Sequence, residues 1–259
     1  MYDDYIIFAS PSSSAIDKSI QDLRDADFDI EYQVNICDYL GINVTKLPDR
    51  RIKLYQTLLI DQIIKDVKLH CRSARVSIPA KSTRILRRYL TAPFFDRRFN
   101  YQSVIGKLNF LNNSTCVDIS YATHQVDLFF EDTLSPCVEA VDHLVKYICN
   151  SRDEGLILGP KSNKSFELFS KANFVGNWYR PTAYDDPIYA KYCSGYVITY
   201  EGCPITWISC LQTTVALSIC KSEYVSLSQS LRDTIPLMGI MVEFKTRGFD
   251  IMCEKPIVR

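Results

Sequence analysis

The sequence predicts a mixed fold of the α+β class, in two units that meet near residues 150–155, and three observations carry that expectation. Apolar residues recur at helical spacing through much of 101–150, whereas beyond it short β-branched and aromatic runs alternate with turn residues. The chain has 259 residues, 47% of them hydrophobic and 23% charged, with no low-complexity run. That is apolar material enough for one large domain or two of ordinary size.

Taken in order, Tyr5–Ala9 reads as a strand closed by Ser-Pro-Ser-Ser-Ser. Ile16, Ile20 and Leu23 then mark a short amphipathic helix. Asp38–Val44 reads as a strand, Pro48-Asp49 as a turn and Arg51–Tyr55 as the returning strand of a hairpin. Leu59, Ile60, Ile63, Ile64 and Val67 give another helix, and residues 68–100 are weakly patterned. Val104–Leu111 and Val138–Ile148 read as helices, the second through Val138, Val141, Leu144, Val145 and Ile148. Strands follow at Phe166–Ser170, Gly195–Tyr200, Pro204–Ser209 and Val215–Ile219, with Glu201-Gly202 turning between the middle pair. A helix from about Ser222 to Thr246, bent near Pro236, comes next.

Composition removes several function classes. Thirty basic and thirty acidic side chains cancel, so nucleic-acid binding must be argued from local clusters. Such a cluster exists: nine Lys or Arg, among them Arg84, Arg87, Arg88, Arg97 and Arg98, lie between Lys68 and Arg98 against the single acid Asp96. It can track phosphates or be a solvated loop, and it lacks the interleaved aromatic spacing of a base-stacking surface. The ten cysteines form no C-x-x-C pair, and His70, His124 and His143 fall in no zinc-ligand spacing. No signal peptide opens the chain and no stretch approaches the roughly 18–20 apolar residues of a membrane span. A soluble intracellular protein with reduced, buried thiols is expected.

The chemistry-bearing residues begin at Asp3 and Asp4, two adjacent carboxylates ahead of an apolar run. Such a pair is costly unless a cation sits between, and polymerase palms use it to hold Mg²⁺, whose hard-ligand preference suits carboxylates. A turn also favours Asp for backbone hydrogen bonding, so the dipeptide alone is weak. The string D-D-Y-I-I-F-A at 3–9 resembles the Y-V-D-D segment of reverse transcriptases, in the form found in copia-type LTR retrotransposon Pol polyproteins. The resemblance continues in order. D-Y-L-G-I at 38–42 and I-K-L-Y-Q at 52–56 are similar to F-L-G-I and L-S-Q, and Y-Q-S-V-I-G-K-L-N-F-L at 101–111 to Y-R-S-x-x-G-x-L-x-Y-L. Asp118-Ile119 matches the end of R-P-D-I, and A-V-D-H-L-V-K-Y at 140–147 resembles the helix before the family's ribonuclease H domain. S-G-Y-V-I at 194–198, I-T-W-I-S at 205–209, Q-T-T-V-A-L-S at 212–218 and S-E-Y-V-S-L at 222–227 resemble motifs within that domain.

The resemblance implies a partial reverse-transcriptase palm with a helical thumb or connection region over 1–150, followed over 151–259 by an incomplete ribonuclease H-like α/β domain. It implies RNA-directed DNA polymerase and ribonuclease H ancestry, Mg²⁺ as cofactor, and RNA, DNA and RNA–DNA hybrid as partners. Departures from the family's pattern imply that this copy has lost both activities. The palm's third carboxylate comes from a strand upstream of the turn at which this sequence begins, and Met1 stands in place of the motif's Tyr. In F-S-K-A-N-F-V-G at 169–176, Lys171 stands where the family has its first ribonuclease H Asp, and Asn173 replaces the next acid. An ammonium ~4 Å from a divalent ion is repelled by roughly 8 kcal/mol at an effective dielectric of about 20. Glu223 keeps the second acid, although a carboxylate early in a helix also complements the macrodipole, and Lys221 replaces a neighbouring family acid. Two alternatives stay open: a co-opted, non-catalytic binder of RNA or hybrid, and missing motifs encoded in flanking sequence.

Overall fold

Leu40 and Gly41 adopt φ of 52° and 76°, the left-handed pair that a two-residue type I′ turn requires. The predicted single strand at 38–44 is therefore a tight hairpin of β1 (Asp38–Tyr39) and β2 (Ile42–Lys46), with Asp38 opposite Asn43. The computed structural model describes residues 6–33, 35–69, 76–81, 86, 98–130, 135–159, 166–173, 191–251 and 255–259. Among them are six α-helices and two four-stranded sheets.

The described part of the predicted first strand, residues 6–9, forms no regular structure. Ile6 and Ile7 are 63% and 50% exposed. A strand is held by cross-strand pairs, and no described strand lies beside this run. Helix α1 (Ser13–Asp25) follows as expected, burying Ile20. Strand β3 (Ile52–Tyr55) returns on β2 in the predicted hairpin, with Lys46 opposite Ile52. Its other neighbour is β4 (Leu156–Leu158), so the first sheet runs β1-β2-β3-β4 and takes in residues from beyond position 150. The segment leading to β4 is fastened by a bidentate pair in which both Arg152 donors reach Asp61 at 2.6 Å, and by Lys53 Nζ donating to the Asp153 carbonyl at 2.6 Å. Gly155 leaves no room beside β3: a Cβ there would sit 2.4 Å from the Leu54 carbonyl oxygen and 2.9 Å from Tyr55 Cβ. Gly155→Ala is expected to cost about 1–3 kcal/mol in denaturant unfolding, because the nearer atom is backbone within a ladder and has nowhere to move.

Helices α2 (Thr57–Val67), α3 (Tyr101–Ser114), α4 (Ser120–Asp127) and α5 (Ser135–Asn150) pack into one apolar core. The i, i+3, i+4 periodicity puts Ile60 and Ile63 of α2, Val104, Leu108 and Leu111 of α3, and Val141, Leu144 and Ile148 of α5 into it, each 3% exposed or less. Asn100 caps α3, its side-chain oxygen accepting from Ser103 N at 3.1 Å.

The second sheet runs β7-β6-β5-β8, built from β5 (Phe166–Asn173), β6 (Cys193–Tyr200), β7 (Cys203–Leu211) and β8 (Ile257–Val258). The first three are antiparallel neighbours, and Glu201 and Gly202 turn between β6 and β7 with positive φ, as predicted. β8 lies parallel to β5 after the long helix α6 (Ile219–Thr246) has crossed the sheet face. The predicted strand at 215–219 is instead a loop leading into α6. The ladder ends at Leu211, and Ser218 takes the N-cap position with its hydroxyl oxygen accepting from Lys221 N at 3.2 Å. Pro236 stands inside an unbroken α6. Every fourth residue of α6 facing the sheet is small and fully buried, Ser222, Ser226, Ser230 and Thr234, which lets the helix axis lie close to β5 and β6. Phe166, Leu168, Tyr196 and Ile198 fill this second core with Leu227, Leu231 and Met238.

The two halves meet where Trp207 of β7, 8% exposed, donates its indole N–H to the Asn112 carbonyl of α3 at 2.9 Å. No helix among the described residues is long and apolar enough to cross a membrane.

Candidate functional site

Glu223, the acid expected to be kept, and Lys171, expected to replace one, lie at a single strand–helix junction. Arg259 N donates to the Leu168 carbonyl at 2.9 Å and Ser170 N to the Arg259 carbonyl at 3.4 Å, so alternate amides of β5 point toward β8. The next such amide, Ala172 N, lies past the end of β8 and donates to Glu223 Oε2 at 2.8 Å. Glu223, near the start of α6, thus supplies the acceptor that the edge of β5 would otherwise lack, in a charge-assisted hydrogen bond. Ser170 Oγ meets Ser226 Oγ of α6 at 3.0 Å, so the Ser170 side chain faces the helix. By strand alternation the neighbouring Lys171 projects from the opposite face, where it is exposed, as is Asn173. Lys171 and Glu223 are brought together along the strand, while their side chains leave on different sides. Lys221 is exposed on the first turn of α6.

These residues do not suit a divalent ion. The position expected to bridge metals carries an ammonium that leaves the strand on the face opposite Ser170, and Glu223 has one oxygen, Oε2, held by a backbone amide. Among the described residues no three His, Cys, Asp or Glu side chains gather as a metal site. Asp3 and Asp4 lie outside the described residues, as do Arg84, Arg87, Arg88 and Arg97. Arg98 is described: its guanidinium is paired with Asp142 of α5 and lies 5.4 Å over the Phe99 ring. On the same face of α5, His143 Nε2 meets the Ile78 carbonyl at 3.0 Å, and Asn150 Nδ2 donates to the Val76 carbonyl at 3.4 Å. Arg98 therefore has an intramolecular role in docking this segment on the helical core.

A second cluster was not predicted, because its members are 16 to 85 residues apart and form no motif. His124 Nδ1 of α4 lies 3.2 Å from Ser209 Oγ of β7 and 3.5 Å from Cys193 Sγ of β6, and the last two are 3.7 Å apart. Burial pulls the His124 imidazole below its ordinary value of 6.5, against a smaller opposing pull from the Asp127 carboxylate. Burial also raises the thiols of Cys193 and Cys210. Since folded His124 binds its proton less readily than the unfolded chain does, its contribution is full above about pH 6.5 and falls as pH drops through that value. Thermal midpoints measured at descending pH are expected to fall in that window, and His124→Gln to flatten the fall. A parallel decline in the variant would remove His124 as its cause.

Cys149 is disulfide-bonded, which departs from the expectation of uniformly reduced thiols. The other described cysteines form no disulfide, and of them only Cys137 is fully buried, whereas Cys37 and Cys220 are exposed.

The described residues thus form two four-stranded sheets, a helical core, and a strand–helix junction that carries Glu223 and Lys171. No protein-family model matches it, and no solved structure matches significantly. Curated relatives are informative. The chain is 24% identical over 250 residues to the retrovirus-related Pol polyprotein from transposon TNT 1-94 of Nicotiana tabacum, covering 94% of this chain and 18% of that protein. It is 20% identical over 269 aligned residues to the corresponding polyprotein from transposon RE1 of Arabidopsis thaliana, covering 99% of this chain and 17% of that one. A putative transposon Ty5-1 protein of Saccharomyces cerevisiae is 21% identical over 234 residues, 90% of this chain and 72% of that protein. Along most of its length the chain is similar to copia-type retrotransposon Pol polyproteins, and it spans less than a fifth of the length of the first two relatives.

Proposed function

We propose that this chain joins two remnants, a reverse-transcriptase palm with its helical thumb or connection region over 1–150 and a ribonuclease H-like unit over 151–259, and that it catalyses neither ancestral reaction. RNA-directed DNA synthesis and hydrolysis of the RNA strand of a hybrid are the ancestral work. The ribonuclease H-like reading is supported by the sheet order: three antiparallel strands, a helical crossover, and a fourth strand parallel to the first. The loss of activity rests on one observation above the rest. Lys171 lies on β5 where the resemblance expects the first acid, and Glu223 Oε2 accepts from Ala172 N.

Two-metal hydrolysis needs several carboxylates converging on paired cations that clamp the attacking and leaving oxygens. Among the described residues the junction offers one carboxylate and one ammonium in place of a converging set of acids. The full chain, incubated with an end-labelled RNA–DNA hybrid and Mg²⁺, is expected to leave the RNA strand intact. Lys171→Asp alone is expected to stay silent as well, because it restores one acid of the set and leaves Glu223 bonded to β5. Magnesium-dependent cleavage by the unmodified chain would overturn the reading.

A further inference from the structure

A cavity of about 390 Å³ lies where the two sheets meet the end of α3. Leu54 of β3, Leu158 of β4, Tyr200 of β6 and Trp207 of β7 line it, so both sheets contribute walls. Those walls are fastened to one another. Gly159 N donates to Cys203 Sγ at 3.2 Å, which ties the chain just past β4 to the start of β7. The Trp207 indole is held by its bond to the Asn112 carbonyl, and the Tyr200 ring lies 5.1 Å from that of Phe166. A largely apolar cavity of this size, at the seam between two packed units, has the dimensions and setting of a small-molecule site.

Its charge selects the ligand. Glu201, in the turn between β6 and β7, is the one acidic or basic residue among the described residues that line it. Ser114, the last residue of α3, lines it as well. The final carbonyls of a helix lack intrahelical donors and carry the negative end of its dipole. A carboxylate, a helix C-terminus and an indole ring all favour a cation. An anion would meet repulsion from the first two, and a neutral apolar molecule would leave the carboxylate without a partner.

We propose that this cavity binds an apolar organic cation, an arylammonium or alkylammonium. Its hydrocarbon part packs among Leu54, Leu158 and Trp207, and its ammonium pairs with the Glu201 carboxylate. The site is independent of the β5–α6 junction and of the ancestral reactions.

The test titrates the isotope-labelled full chain with naphthylethylamine and, separately, with its neutral counterpart naphthylethanol. Binding is followed through the indole N–H signal of Trp207, which is told from that of Trp178 by Trp178→Phe. The amine is expected to shift the Trp207 signal saturably and to bind at least about tenfold more tightly than the alcohol. Glu201→Gln is expected to bring the amine down to the alcohol's affinity while the alcohol binds as before, which shows the cavity intact. The preference for amine over alcohol is measured on the unmodified chain, so it decides independently of any variant's folding. Equal affinity for the two probes, no saturable shift, or an unchanged amine affinity in Glu201→Gln would each overturn the proposal.

Discussion

Trp207→Ala is expected to destabilise the chain by about 3–5 kcal/mol, read as a fall in the midpoint of urea unfolding. Trp207 is 8% exposed on the face of β7 turned toward the helical half, and its indole N–H reaches the Asn112 carbonyl at the end of α3. Truncation removes a large apolar body and leaves that carbonyl without its donor, so the cavity and hydrogen-bond penalties fall at one point. Trp207→Phe separates them: the ring is largely kept, the donor lost, and about 1–3 kcal/mol expected. A loss below about 1 kcal/mol for Trp207→Ala would mean that the halves do not depend on this contact.

Leu144→Ala is expected to cost about 2–5 kcal/mol by the same measurement. Leu144 has no exposed surface and lies on α5 between Val141 and Ile148, in the core shared with α2, α3 and α4. The surrounding side chains are carried on four helices, so collapse around the vacated volume is limited and the cavity persists. Arg232→Ala, on the exposed side of α6, is the comparison and is expected to stay within about 0.5 kcal/mol of the unmodified chain. Equal effects from the two substitutions would contradict the assignment of the core.

Much of this architecture was legible because the period of the apolar pattern is set by the element that carries it. Ile60, Ile63 and Val67 announce α2, and the run from Val138 to Ile148 announces α5. The turn at Glu201-Gly202 was readable because glycine supplies the φ that such turns demand. The turn at Leu40-Gly41 was not, since leucine is an unusual occupant of the left-handed region and leaves no local signal. Val215 and Leu217 have strand propensity but are 44% and 88% exposed, and propensity without a partner strand decided nothing.

The candidate site was half legible. Lys171 in place of an expected acid is a reading of the motif alone. That Glu223 accepts from Ala172 N could not be read, because it depends on where β8 stops beside β5. The proximity of His124, Cys193 and Ser209 is likewise a product of tertiary docking, with no spacing in the chain to reveal it.

On the proposed reading the β5–α6 junction does not gather divalent cations. Manganese, a paramagnetic stand-in for magnesium, tests it directly: the full chain is titrated with Mn²⁺ while relaxation of signals from Ala172 and Glu223 is followed. The account predicts no saturable broadening at either residue, and no change when Glu223 is replaced by Gln. Stoichiometric binding of two ions beside Glu223, abolished by Glu223→Gln, would contradict it.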